Sequence, residues 1–208
     1  MGRYLSTKIG LLIALVLICA KPFADDPEAC SITEQAFADI LALPFKEFDQ
    51  TEGSGWRPYY EQACYSIASR LLTEYLTRNP KLGQQYNVLP LHAGQLLAMH
   101  GDYQRAIVYL KTSYLNKSDG GDTPSFIDTN AFIDSHIAFL DRDMQALLAA
   151  RDKISQQPEM PKSPGVPEWA WGKKVNLEVV EGFINCFEKP FAVAYGKECR
   201  TIKGKISK

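Results

Sequence analysis

Histidine is scarce: the 208 residues hold three, His92, His100 and His136, and no two of them stand four apart. That spacing is what a helix needs to present two imidazoles to one metal ion, so a paired-histidine metal centre is excluded. Also lacking are a CxxC pair, a glycine-rich phosphate loop, a dinucleotide fingerprint and a glycine-flanked nucleophile elbow. No cofactor and no catalytic residue is therefore expected. Positive charge is not in excess either, with 23 Lys and Arg against 24 Asp and Glu. Nucleic acid is accordingly not an expected partner.

Long apolar runs are absent apart from one. Arg3 and Lys8 precede an uncharged run from Ile9 to Ala20, and acids first appear at Asp25 and Asp26. Such a run falls short of the roughly 20 residues that a spanning helix needs, and the small residues Ala20 and Ala24 offer cleavage points. Residues 1–24 read as a signal peptide, cut after Ala24 with Ala20 as the alternative. Lipidation at Cys19 is disfavoured by the bulky Ile18 before it. Removing Arg3, Lys8 and Lys21 leaves 20 basic against 24 acidic residues, with no membrane span expected. Residues 25–199 read as one domain and 200–208 as a basic flexible tail.

The mature part keeps four cysteines, Cys30, Cys64, Cys186 and Cys199. An even number in an exported chain argues for two disulfides and a periplasmic or secreted location. Four cysteines allow three pairings. Joining neighbours in sequence, Cys30–Cys64 and Cys186–Cys199, asks least of the chain.

Apolar periodicity is helical throughout and nowhere alternates as a strand would. A short helix is expected from Ser31, as cap, to Leu43, and a broad apolar stripe predicts one long helix over Arg57–Leu76, ending at Asn79-Pro80. In the next stretch Leu89–His100 and Gln104–Leu110 flank Gly101-Asp102-Tyr103: a glycine that can close one helix and an aspartate that can cap the next. Asn116–Ser125 reads as a loop; its acids and glycines lack the spacing of a calcium-binding loop, and Asn116-Lys117-Ser118 has the form of a glycosylation acceptor. Prolines at 158, 161, 164 and 167 mark an extended connector ending in Trp169-Ala170-Trp171, followed by a last helical segment over Leu177–Phe187.

The Leu89–Leu110 stretch resembles the tetratricopeptide repeat, a 34-residue helix–turn–helix unit with small residues at the helix contact. Gly94 and Ala106 match its small pair, Gly101 and Tyr103 its turn, and Leu110 its large apolar site. Pro90, Ala93 and Ser113 depart from the pattern. Weaker echoes occur around Ala68, Leu72 and Pro80, with Trp56 at the glycine position, and around Ala146 and Pro158, with Asp134 there. Spacings of 38 and 40 residues separate Ala68, Ala106 and Ala146. The resemblance implies an all-α array of antiparallel hairpins with extra terminal helices, acting as a scaffold that binds a protein or peptide.

Candidate binding residues are the aromatics Trp56, Tyr59, Tyr60, Trp169 and Trp171, which could line a concave face or simply extend the core. An enzyme built on His136 with Asp134 or Asp128 is the rival from another class, although Asp134-Ser135-His136 point different ways on one helix. A purely structural envelope accessory is the third reading.

Overall fold

The computed structural model of the chain describes residues 30–115 and 126–201. The signal-peptide segment, the Asn116–Ser125 loop and the tail from residue 202 lie outside them. The described chain is all-helical, with no strand. Its elements are α1 (Glu34–Leu41), a single π-helical turn (Lys46–Gln50), α2 (Arg57–Glu61), α3 (Tyr65–Arg78), α4 (Pro80–Gln85), α5 (Val88–His100), α6 (Tyr103–Thr112), α7 (Thr129–Leu140), α8 (Met144–Gln156), a 3₁₀ turn (Glu168–Ala170), α9 (Leu177–Asn185), α10 (Phe191–Ala194) and α11 (Lys197–Thr201).

Three antiparallel hairpins, α2/α3, α5/α6 and α7/α8, share one turn. In each, a residue with positive φ closes the first helix: Ala63 (58°), Gly101 (94°) and Arg142 (58°). The N–H of the next residue reaches back five positions, from Cys64 to Tyr59 (2.7 Å), Asp102 to Leu97 (2.9 Å) and Asp143 to Ala138 (2.8 Å). This double closure satisfies carbonyls that a helix end otherwise leaves unpaired. The following residue then starts the second helix. Asp102 and Asp143 cap it by accepting from the Arg105 and Ala146 amides. Cys64 occupies the same position without a side-chain cap.

This register corrects three expectations. The stripe over Arg57–Leu76 is not one helix, because Gln62, Ala63 and Cys64 interrupt it with the turn just described. The cap of α1 is Thr33, whose hydroxyl accepts from the Ala36 amide, not Ser31. The second spacing is 41 residues rather than 40, so the position equivalent to Ala68 and Ala106 is Leu147, and all three are fully buried. Ala146, one residue early, is exposed.

Gly94 lies where α5 crosses α6. A Cβ there would stand 2.6 Å from Leu110 Cγ and 3.1 Å from the Ala106 carbonyl oxygen, so the crossing distance requires glycine. Gly94→Leu is expected to cost about 1–3 kcal/mol through overpacking. A urea melt of the variant checks this; an unchanged midpoint would contradict the crossing.

Both disulfides form the sequence-neighbour pairing. Cys30–Cys64 has its Cα atoms 5.4 Å apart and ties the segment before α1 to the α2/α3 turn; Cys186–Cys199, 5.9 Å apart, joins the end of α9 to α11. Two bridges within one small domain are the signature of an oxidising, extracytoplasmic compartment. Among the described residues no helix is long and apolar enough to cross a membrane. The C-terminal unit α9–α11 lies over α5 and α7: Phe183 and Phe191 pack their rings against His136 and Phe139 of α7, and the Phe191 amide donates to the Tyr103 hydroxyl at 3.2 Å. Helix α11 runs through Thr201, and Arg200 stacks over Tyr195.

Candidate functional site

The five candidate aromatics fall into separate places. Trp56 is 4% exposed and is core; its indole N–H donates to Asp49 at 2.9 Å. Tyr59 and Tyr60 are half-buried on α2. Trp171 is also half-buried, with its indole N–H on the Val166 carbonyl at 3.0 Å. Trp169 alone stands out, 65% exposed.

The loop that carries Trp169 is braced from below, despite its four prolines. The Met160 amide donates to Lys173 and the Gly172 amide to Met160, both at 2.9 Å, pinning the two ends of the loop together. Gln157 clamps its base: its amide N–H donates to the Val175 carbonyl at 2.6 Å, while its oxygen accepts from the Asp128 amide at 3.0 Å. The Lys174 ammonium donates to the Ser155 carbonyl. A tryptophan fixed on such a loop loses little freedom on contact. Beside it opens a cleft of about 340 Å³, walled by Val175 and Leu177 with Lys173, Arg200, Glu178 and Glu181 at its edge.

A second site was not visible in the sequence. The π-helical turn places Asp49 inside the molecule, with no exposed surface. Gly55 (φ 60°) makes this fold-back feasible, since any Cβ there would run into the Phe48 carbonyl. Burial by itself pushes the Asp49 carboxyl up, but His92 Nδ1–H at 2.8 Å, the Trp56 indole and the Gln50 amide all donate to it and, with the His92 charge, hold it below its usual value. The carboxylate orients His92, which also lines a cavity of about 170 Å³. Trp56, Arg57, Tyr60, Gln95, Leu96, Met99 and Tyr195 line the rest of that cavity. Arg57 donates through Nε and Nη2 to the Asp49 backbone carbonyl and lies over the Trp56 ring at 4.6 Å.

His136 sits apart from both. It is fully buried; its Nδ1–H donates to the Phe132 carbonyl at 2.8 Å and Gln95 Nε2 lies 3.1 Å from its Nε2. Burial lowers its pKa to about 4, opposed by the Phe132 hydrogen bond, so the ring is neutral at physiological pH. Neither carboxylate proposed for it is near: Asp134 accepts from the Tyr114 hydroxyl at 2.6 Å and pairs with Lys153, and Asp128 caps α7 by accepting from Ala131. Ser135 turns back onto the Phe132 carbonyl. Those three residue types therefore form no proton relay.

No family model, no curated protein and no solved structure matches the chain.

Proposed function

We propose that the protein is an exported helical-repeat module that captures a protein or peptide partner on the rim formed by Trp169. The observation that carries this reading is the large aromatic held out to solvent on a braced loop beside a cleft. Exposed tryptophans dominate binding energy where they occur, and pre-organisation spares the ordering cost. Export rests on the charge-then-apolar pattern of residues 1–24 together with the two disulfides. The tetratricopeptide-like reading rests on the thrice-repeated turn and on the close crossing at Gly94.

Trp169→Ala is expected to weaken capture of the partner by about 2 kcal/mol or more, roughly 30-fold, while leaving the thermal midpoint nearly unchanged. Trp171→Ala, which removes a bond inside the loop, should lower binding and midpoint together. Pull-down of partners from cell envelopes, with parallel melts, tests both. Undiminished capture by Trp169→Ala would remove the rim from the account.

A further inference from the structure

We propose that the cavity between α2, α5 and α10 is a binding site for a small organic carboxylate with an apolar body, gripped by Arg57 and His92. It lies apart from the Trp169 rim and shares none of its wall residues.

Charge makes the first argument. Asp49 has its partner in His92, hydrogen-bonded at 2.8 Å. Arg57 has no anionic partner: two of its five N–H donors go to a neutral backbone carbonyl, and no carboxylate pairs with it among the described residues. A half-buried guanidinium without an anion is uncommon, because removing charge from water is costly unless it is paired. Arg57 and His92 both line the cavity. Among the described residues no anion complements Arg57, and a planar carboxylate suits the guanidinium fork.

Orientation makes the second. His92 is 20% exposed at its side chain, and its Nδ1 is spent on a carboxylate with no exposure at all. His92 lines the cavity, and Nε2 is the ring nitrogen left for a ligand. Fixing an imidazole through a buried carboxylate is a device for aiming the opposite nitrogen. The apolar half of the ligand meets Trp56, Leu96, Met99 and Tyr195. At about 170 Å³ the cavity lies below the roughly 300–1,000 Å³ of drug-sized sites, so the occupant is a small acid or a single chain-terminal residue.

The test uses the purified protein and three probes: 3-phenylpropionate, its amide, and the peptide Ala-Ala-Phe with a free carboxyl end. NMR titration of the Trp56 indole and His92 imidazole signals reads binding at the site. Saturable shifts with 3-phenylpropionate or the peptide, and at least 10-fold weaker binding of the amide, are expected. Response to both acids marks a free acid as sufficient, and response to the peptide alone marks a chain end as the source. His92→Gln, which can still donate to Asp49, is expected to weaken the acid at least 10-fold. Equal binding of acid and amide, or no shift with any probe, overturns the site; both comparisons are made on the unmutated protein, so neither depends on a variant folding.

Discussion

Replacing Cys30 and Cys64 together by alanine is expected to lower stability by about 4 kcal/mol, the largest effect of any substitution considered. The bridge closes a loop with a sequence separation of 34, and chain-entropy arguments assign such a loop about 4 kcal/mol, against about 3 for the 13-residue separation of Cys186–Cys199. The site adds a second effect. Cys64 is the first residue of the α3 turn, where the two sister hairpins carry a capping aspartate. Serine at 64 can cap where alanine cannot, so the Cys30→Ala/Cys64→Ser form should recover about 1 kcal/mol relative to Cys64→Ala. Urea melts of the three proteins measure both differences. Equal midpoints for the serine and alanine forms would show that the turn at 64 does not behave as its counterparts at 102 and 143.

Acid should weaken the fold well before its carboxylates titrate. His136 is neutral and buried, with a folded-state pKa of about 4 against 6.5 when free. The unfolded chain therefore binds a proton between these values and the folded chain does not, so stability is full above pH 6.5 and falls as the pH drops toward 4. The loss attributable to this residue is about 2 kcal/mol by pH 5 and about 3 by pH 4. Asp49 behaves oppositely in origin: its lowered pKa contributes stability above 3.8 that is lost only below that pH, outside the histidine window. Urea midpoints of the wild type and His136→Gln from pH 7 to 5 separate the two. The wild-type midpoint should slope and the variant, though less stable throughout, should be nearly flat; parallel curves would mean that His136 is not held neutral in the core.

The sequence was most legible where a residue type has one structural meaning. Gly101 and Asp102 marked the α5/α6 turn because a glycine closes helices and an aspartate caps them, and Gly94 marked the close crossing because no other residue fits there. The cysteine spacing led to both disulfides. What was hidden depended on residues doing unusual things. Ala63 and Arg142 make the same turn as Gly101 from a left-handed conformation that non-glycine residues seldom adopt, so the break between α2 and α3 was concealed inside a continuous apolar stripe. One residue of drift in the third hairpin moved its packing position from Ala146 to Leu147. The cavity beside His92 was invisible for a different reason: its walls come from positions 56, 57, 60, 92, 95, 96, 99 and 195 with Asp49 behind His92, and no local pattern links a π-helical turn to a histidine 43 residues on and a tyrosine near residue 200. Among the aromatics, type alone could not separate Trp56, buried on an aspartate, from Trp169, held into solvent by backbone bonds of its loop.

Whether Trp169 is where this protein meets its partner is decided by site-specific photocrosslinking. A photoreactive side chain is placed at position 169 and, as control, at Val108, an equally accessible position (60% exposed) on α6. After irradiation of intact envelopes, a discrete crosslinked protein is expected from position 169 and none from position 108. Crosslinks of equal yield from both positions, or from 108 alone, would contradict it.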